Sequence, residues 1–173
     1  MDTKKFALIH LGNDESYGLV FVSGELNLLG HEIRWFDGDE AGVSAKVAEW
    51  NPDFICFSPL TTFFKQALAI SVEIKKLLPS VRSVFGGRHI FAVPSEISND
   101  GVDIVVNGPV YGTVDKIISA GKKEVISGNL IPVEKMIPLR KEYYEGVPRM
   151  ATRHRKYIMS HFGCMYNCSY CSN

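Results

Sequence analysis

Short apolar runs alternate with longer amphipathic stretches through the first 130 residues, and this alternation limits the fold more than any other feature of the chain. Five runs predict β-strands because they are short, rich in Val, Ile and Phe, and mostly end at Gly, Pro or Asp. They span residues 5–11, 32–37, 53–59, 82–87 and 102–108. The segments FICF and IVV are apolar at every position, which indicates burial on both faces and therefore a parallel sheet.

The amphipathic stretches between these runs predict helices. The two longest cover residues 16–29, which end at Gly30, and residues 62–78, which end before Pro79. Shorter helices are expected at 41–50, 94–99 and 111–120. Strands and helices that alternate through short loops predict an α/β fold, a flavodoxin-like (Rossmann-type) doubly wound parallel sheet of five strands over residues 1–129.

The pattern changes after Asn129. Residues 130–155 include three prolines and show no sustained hydrophobic period, which predicts a linker. The segment KYIMSHF at 156–162 predicts one more strand, and we interpret residues 156–173 as the start of a second domain. A strand that follows a linker and has no partner strand indicates a truncated chain.

Charge and hydropathy bear on the partners of the chain. The 173 residues carry a formal net charge of zero, so no electrostatic argument favours nucleic acid. No apolar run approaches the roughly 18 residues that a membrane span needs, and the N-terminus reaches acidic residues too early for a signal peptide. We therefore expect a cytoplasmic protein with reduced cysteines, no nucleic-acid partner and no membrane partner. The basic run at 153–156 favours a solvated surface.

Three of the four cysteines, Cys164, Cys168 and Cys171, lie within the last ten residues, whereas Cys56 stands alone in an apolar run. Three thiolates on one short loop suit an iron–sulfur cluster, because such clusters require soft sulfur ligands. A 4Fe–4S cluster held in this way keeps its fourth iron open to a substrate or cofactor. A zinc site is the alternative, with His161 as the fourth ligand.

The spacing C-x-x-x-C-x-x-C, with Tyr170 before the third cysteine and Gly163 before the first, resembles the signature of the radical S-adenosylmethionine enzymes. The resemblance covers residues 156–173 and implies the first strand and cluster loop of a partial α/β barrel. It implies that the three cysteines bind a 4Fe–4S cluster, that S-adenosylmethionine chelates the fourth iron, and that Tyr170 lies against its adenine. It also implies an electron donor such as flavodoxin or ferredoxin.

Two loops of the first domain resemble the cobalamin-binding domains of cobalamin-dependent radical S-adenosylmethionine enzymes. Ser58-Pro59-Leu60 matches their S-x-L signature after the third strand, and Gly86-Gly87 matches their G-G signature after the fourth. Open parallel sheets bind ligands outside these strand ends. The resemblance implies that the glycines let the backbone approach the nucleotide tail of cobalamin and that Ser58 hydrogen-bonds its base.

The third signature of that family, D-x-H-x-x-G, is only partly present. Asn13, Glu15 and Gly18 stand at its Asp, His and Gly positions, so the imidazole that ligates cobalt is replaced by a carboxylate. His10 lies within the preceding strand and is expected to be a packed or edge residue, whereas His89 suits either the corrin rim or the surface. Either cobalamin binds without a protein imidazole, or the domain keeps the fold and has lost the cofactor.

The combined resemblance implies the N-terminal part of a cobalamin-binding radical S-adenosylmethionine enzyme, a methyltransferase or ring-modifying enzyme that acts on an unreactive carbon. The missing barrel would bind the small-molecule substrate, so the fragment alone is expected to be inactive. Two alternatives remain open at this point. One is a cofactor-free module that positions substrate for the barrel, and the other is a zinc-hooked interaction domain.

Overall fold

In a computed structural model that describes residues 2–130 and 140–156, six parallel strands form one sheet in the order β2-β1-β3-β4-β5-β6. The strands are β1 (Lys5–His10), β2 (Glu32–Asp37), β3 (Phe54–Phe57), β4 (Arg82–Phe85), β5 (Ile104–Val106) and β6 (Glu124–Ile126). The chain adds β2 on one side of β1 and then returns to place β3 on the other side. This reversal makes the carboxyl ends of β1 and β3 the switch point at which such sheets bind ligands.

Helices cover both faces of the sheet. They are α1 (Tyr17–Leu28), α2 (Val43–Trp50), α3 (Phe64–Leu77), α4 (Gly87–Ala92), α5 (Val114–Ser119), α6 (Arg140–Gly146) and α7 (Pro148–Ala151). Two short 3₁₀ turns, Thr61–Phe63 and Pro94–Ser98, precede α3 and follow α4.

The core has one apolar cluster on each face of the sheet, because successive side chains of a strand point to opposite faces. In β1, Phe6 and Leu8 belong to the cluster that α1, α5 and α6 cover. Ala7 and Ile9 belong to the cluster that α2 and α3 cover. Burial of β1 on both faces agrees with the parallel sheet that the apolar runs predict.

The α/β class and the parallel sheet are confirmed, and each of the five predicted strands overlaps an observed one. The number of strands was wrong, because the sheet has a sixth strand, β6. This strand has only three residues, and two of them are exposed, so it has little apolar character in the sequence. The first strand of the expected barrel falls at 156–162, of which only Lys156 lies within the described residues.

Within the stretch interpreted as a linker, 130–155, two helices form instead of irregular chain. Tyr143 and Val147 are fully buried and Met150 nearly so, all in the cluster beneath α1 and α5. Gly146 packs so closely on Trp35 that an added Cβ would collide with the indole side chain. Residues 140–151 therefore belong to the core of the α/β domain rather than to a free connection.

No helix in the described parts of the chain, 2–130 and 140–156, has both the length and the apolar character to cross a membrane.

Candidate functional site

A crevice of about 570 Å³ opens at the carboxyl ends of β1, β3, β4 and β5. Its mouth is formed by the loops that follow these strands, at the switch point of the sheet. Its inner part runs along the sheet between α1 and α5 and is lined by the apolar side chains Phe6, Leu26, Val84 and Ile117 together with Cys56. A slot of this kind accepts a flat apolar group and keeps polar contacts at its ends.

Ser58 lies at the mouth of the crevice between two glycines. A Cβ at Gly18 would come within 2.7 Å of Ser58 Oγ, and a Cβ at Gly87 would come closer still. Gly87 also has a φ of +86°, a backbone conformation that favours glycine. Three segments that are far apart in sequence thus meet at one hydroxyl, and any side chain at either glycine would close the gap around it.

The other predicted cofactor-binding residues fall into two groups. Leu60, Gly86 and Glu15 line the crevice with Ser58, Gly18 and Gly87. Glu15 accepts a hydrogen bond from Tyr144 Oη at 2.6 Å, so α6 holds its carboxylate. Asn13 does not line the crevice; its Oδ1 lies 3.4 Å from Arg149 Nη1 on the side of α7.

Neither histidine near the strand ends faces the crevice. His10 is fully buried as a packed residue of β1, where Nε2 donates to the Gly12 carbonyl at 3.0 Å and Nδ1 lies 3.3 Å from Tyr143 Oη. Burial, followed by the charge of Arg149, lowers the pKa of His10, so the ring stays neutral. His89 is also buried, which rules out the surface position, and its Nδ1 lies 3.2 Å from Thr61 Oγ1.

Arg149 of α7 ties together the loops that follow β1 and β2. Its guanidinium donates to Asp37 Oδ2 at 2.5 Å, to Asp39 Oδ2 at 2.7 Å and to the Gly12 carbonyl at 2.7 Å. Burial by itself raises the pKa of Asp37, but the hydrogen bonds from Arg149 and from the Asp39 amide outweigh it and leave that pKa below its ordinary value. These hydrogen bonds hold the β1–α1 loop in place, and the same loop forms one wall of the crevice.

Among the crevice residues that were not predicted from the sequence, three bear on its chemistry. Glu25 accepts a hydrogen bond from the Gly112 amide at 2.8 Å, and burial raises the pKa of its carboxyl. The hydroxyl oxygen of Ser16 is buried and has no hydrogen-bond partner among residues 2–130 and 140–156. Cys56 lines the apolar slot, and burial raises the pKa of its thiol to about 12, so it stays protonated. The alternation in β3 places Cys56 on the same face as Ser58, which was the signal available for Cys56.

The predicted metal ligands lie outside the described residues. These are Cys164, Cys168 and Cys171, with Tyr170 and the alternative zinc ligand His161. Over 2–130 and 140–156, no three or more His, Cys, Asp or Glu side chains come together as a metal site. The iron–sulfur and zinc assignments therefore remain predictions from the spacing.

No protein-family model matches the chain, and no curated protein matches it either.

Proposed function

We propose that the α/β domain binds cobalamin in the crevice and that the chain belongs to a cobalamin-dependent radical S-adenosylmethionine enzyme. The observation that carries the proposal is the position of Ser58 between Gly18 and Gly87, at the mouth of an apolar slot. All three residues match signature positions of cobalamin-binding domains. The same three residues lie far apart in sequence, so their meeting at one hydroxyl supports a common role.

The shape and polarity of the crevice fit the nucleotide tail of cobalamin. Its apolar walls suit a flat heteroaromatic base, and glycines at two contact points let the backbone come close. Within the described residues, Ser58 Oγ makes no hydrogen bond, so its hydroxyl is available to a ring nitrogen. Because neither His10 nor His89 lines the crevice, we expect binding without an imidazole from this domain.

The remaining parts of the proposal rest on the sequence. Cys164, Cys168 and Cys171 would hold a 4Fe–4S cluster, with Tyr170 against S-adenosylmethionine and an electron donor such as flavodoxin or ferredoxin. When bound, cobalamin carries a methyl group while radical chemistry activates an unreactive carbon of a small-molecule substrate. Methyl transfer or ring modification is the reaction class that we propose.

A titration with hydroxocobalamin tests the binding proposal. We expect the visible spectrum of the corrinoid to shift on binding. Gly18→Trp should abolish this shift, because Gly18 stands at the mouth and has no left-handed backbone conformation to disturb. Leu28→Trp is the matched control, since Leu28 lies on the same helix, is 62% exposed and does not line the crevice. An unchanged spectrum with the wild-type protein at high concentration would reject cobalamin binding.

A cofactor-free module that positions substrate is the second candidate. It is favoured by Glu15, which stands where an imidazole is expected and is held by Tyr144. This candidate predicts no spectral shift in the same titration. Metal analysis of the purified chain distinguishes the third possibility, a zinc-hooked interaction domain, from the other two. In that case the analysis would find zinc instead of iron.

A further inference from the structure

Glu25 joins the two walls of the crevice. It lies on α1, lines the crevice, and accepts a hydrogen bond from the amide of Gly112, which belongs to the loop before α5. The two residues are 87 positions apart in sequence, so this contact links distant parts of the fold. It is located toward the end of α1 that is away from Ser58, since Gly18 contacts Ser58 near the start of that helix.

The Glu25 carboxyl is poorly supplied with hydrogen-bond donors. The Gly112 amide donates to Oε1, and no residue within 2–130 or 140–156 donates to Oε2. Burial raises the pKa of the carboxyl and the nearby charge of Asp115 adds to the rise, while the hydrogen bond from Gly112 opposes it. A half-buried carboxylate in a largely apolar slot gains from any further donor that enters the slot.

We propose that Glu25 recognises a hydrogen-bond donor, a hydroxyl of a sugar-like group, on the part of the ligand that enters the slot. The inference rests on the proposed function, because a nucleotide tail carries both a flat base for the apolar walls and sugar hydroxyls beside it. Oε1 keeps the loop at Gly112 in place, and Oε2 accepts from the ligand. Glu25 is then a specificity-determining residue that favours a riboside over the bare base.

Glu25→Gln separates the two tasks of the carboxylate. The glutamine keeps an oxygen that accepts from the Gly112 amide, so its NH₂ group takes the place of Oε2 and presents a donor instead of an acceptor. We would measure the affinities of a benzimidazole riboside and of 1-methylbenzimidazole, which lacks the sugar hydroxyls. We expect the wild-type protein to bind the riboside at least about tenfold more tightly, a difference of about 1.4 kcal/mol. Glu25→Gln should weaken this preference, because the sugar hydroxyl then meets a neutral NH₂ group instead of a charged acceptor, and it should leave binding of 1-methylbenzimidazole unchanged.

Hydrogen exchange of the Gly112 amide reports whether the contact between the walls survives in Glu25→Gln, and we expect its protection to be retained. Glu49→Gln is the control, since Glu49 is an exposed residue of α2 outside the crevice. The inference is overturned if the wild type binds both probes equally or binds neither, or if Glu25→Gln keeps the full preference of the wild type. Riboside preference without any response to hydroxocobalamin would uphold the role of Glu25 and reject cobalamin. A response to hydroxocobalamin without a preference for the riboside would support cobalamin binding and reject the role of Glu25.

Discussion

Ser58 fits between Gly18 and Gly87 because neither residue has a side chain. The two glycines differ in how much a side chain would lower the stability of the domain. At Gly18 the helical backbone accepts any residue, and only the contact with Ser58 Oγ resists a Cβ. At Gly87 the positive φ and the same contact both resist it. The structure therefore allows backbone strain to be separated from crowding around the hydroxyl.

We predict that Gly87→Ala destabilises the domain more than Gly30→Ala does. Gly30 has a similar φ of +76° but open space where a Cβ would stand, so its replacement costs only the left-handed conformation, about 1–2 kcal/mol. Gly87→Ala adds the collision with Ser58, at about 1–3 kcal/mol more. Urea denaturation of both variants gives the difference in free energy of unfolding. Equal losses would mean that Ser58 moves aside freely.

Glu15 stands where cobalamin-binding domains have their imidazole, and we predict that it is not an anchor for the cofactor. Glu15→Ala should change the cobalamin dissociation constant by less than about tenfold. It should lower the free energy of unfolding by about 0.5–1.5 kcal/mol, because the hydrogen bond from Tyr144 is lost. Tyr144→Phe removes the same hydrogen bond from the other side and is the matched variant. A loss of affinity beyond tenfold in Glu15→Ala alone would identify the carboxylate as a ligand contact.

At the scale of helices and strands, the elements with strong local patterns were predictable and those defined by packing were not. The apolar run FICF predicted β3, and the spacing of Leu19, Val22 and Leu26 predicted α1. By contrast, α6 and α7 lie among prolines, and Tyr143, Val147 and Met150 keep a helical spacing that is too short to stand out. Burial of these three side chains in the apolar cluster that includes Trp35 of β2 stabilises both helices.

The same limit applies to the candidate site. Local motifs predicted Ser58, Gly18 and Gly87 as binding residues, because each belongs to a loop signature after a strand, and the structure brings the three together in the crevice. Glu25 was not predicted, since its role depends on a contact with Gly112 across 87 positions of sequence. A glutamate on an amphipathic helix has no local feature that separates a crevice residue from a solvated one.

Arg149 clamps α7 to the sheet, and we predict that its contribution to stability depends on pH. The pKa of Asp37 is lowered in the folded state, so the unfolded chain binds this proton more readily, and the stabilisation is present above the unfolded value of about 4. It is lost as the pH falls through the lower folded pKa. The difference in free energy of unfolding between wild type and Arg149→Met should therefore be large at pH 7 and shrink below about pH 4.

Urea denaturation at pH 7 and pH 3 measures this difference. Lys46→Met is the control, because the ion pair of Lys46 with Glu40 is about half exposed and is expected to contribute no more than about 1 kcal/mol. Asp103, whose pKa is also lowered, keeps its contacts with Lys75 and Ser83 in both proteins, so its pH dependence cancels in the comparison. A constant difference across the pH range would show that Arg149 acts through packing rather than through charge.

At the scale of the whole molecule, the two proposed cofactors use separate sets of residues. Among the residues that the structure describes, those that line the crevice all precede residue 131, and the three cysteines of the proposed cluster follow residue 160 in the sequence. Tyr144 and Arg149 lie between these two sets of residues in the sequence. Both contact the β1–α1 loop, which forms one wall of the crevice. Separate sites predict that loss of one cofactor leaves the affinity for the other intact.

Anaerobic reconstitution with iron and sulfide tests this separation. We expect about four irons per chain when Cys164, Cys168 and Cys171 hold a 4Fe–4S cluster. The iron should be lost in Cys168→Ala, because only two of the three thiolate ligands then remain. Cys56→Ala is the control, because the Cys56 thiol is buried beneath the crevice and has a pKa of about 12, so it offers no thiolate.

Cys168→Ala should still shift the spectrum of hydroxocobalamin as the wild type does. Zinc in place of iron, or iron that survives Cys168→Ala, would contradict the assignment of this loop to a radical enzyme.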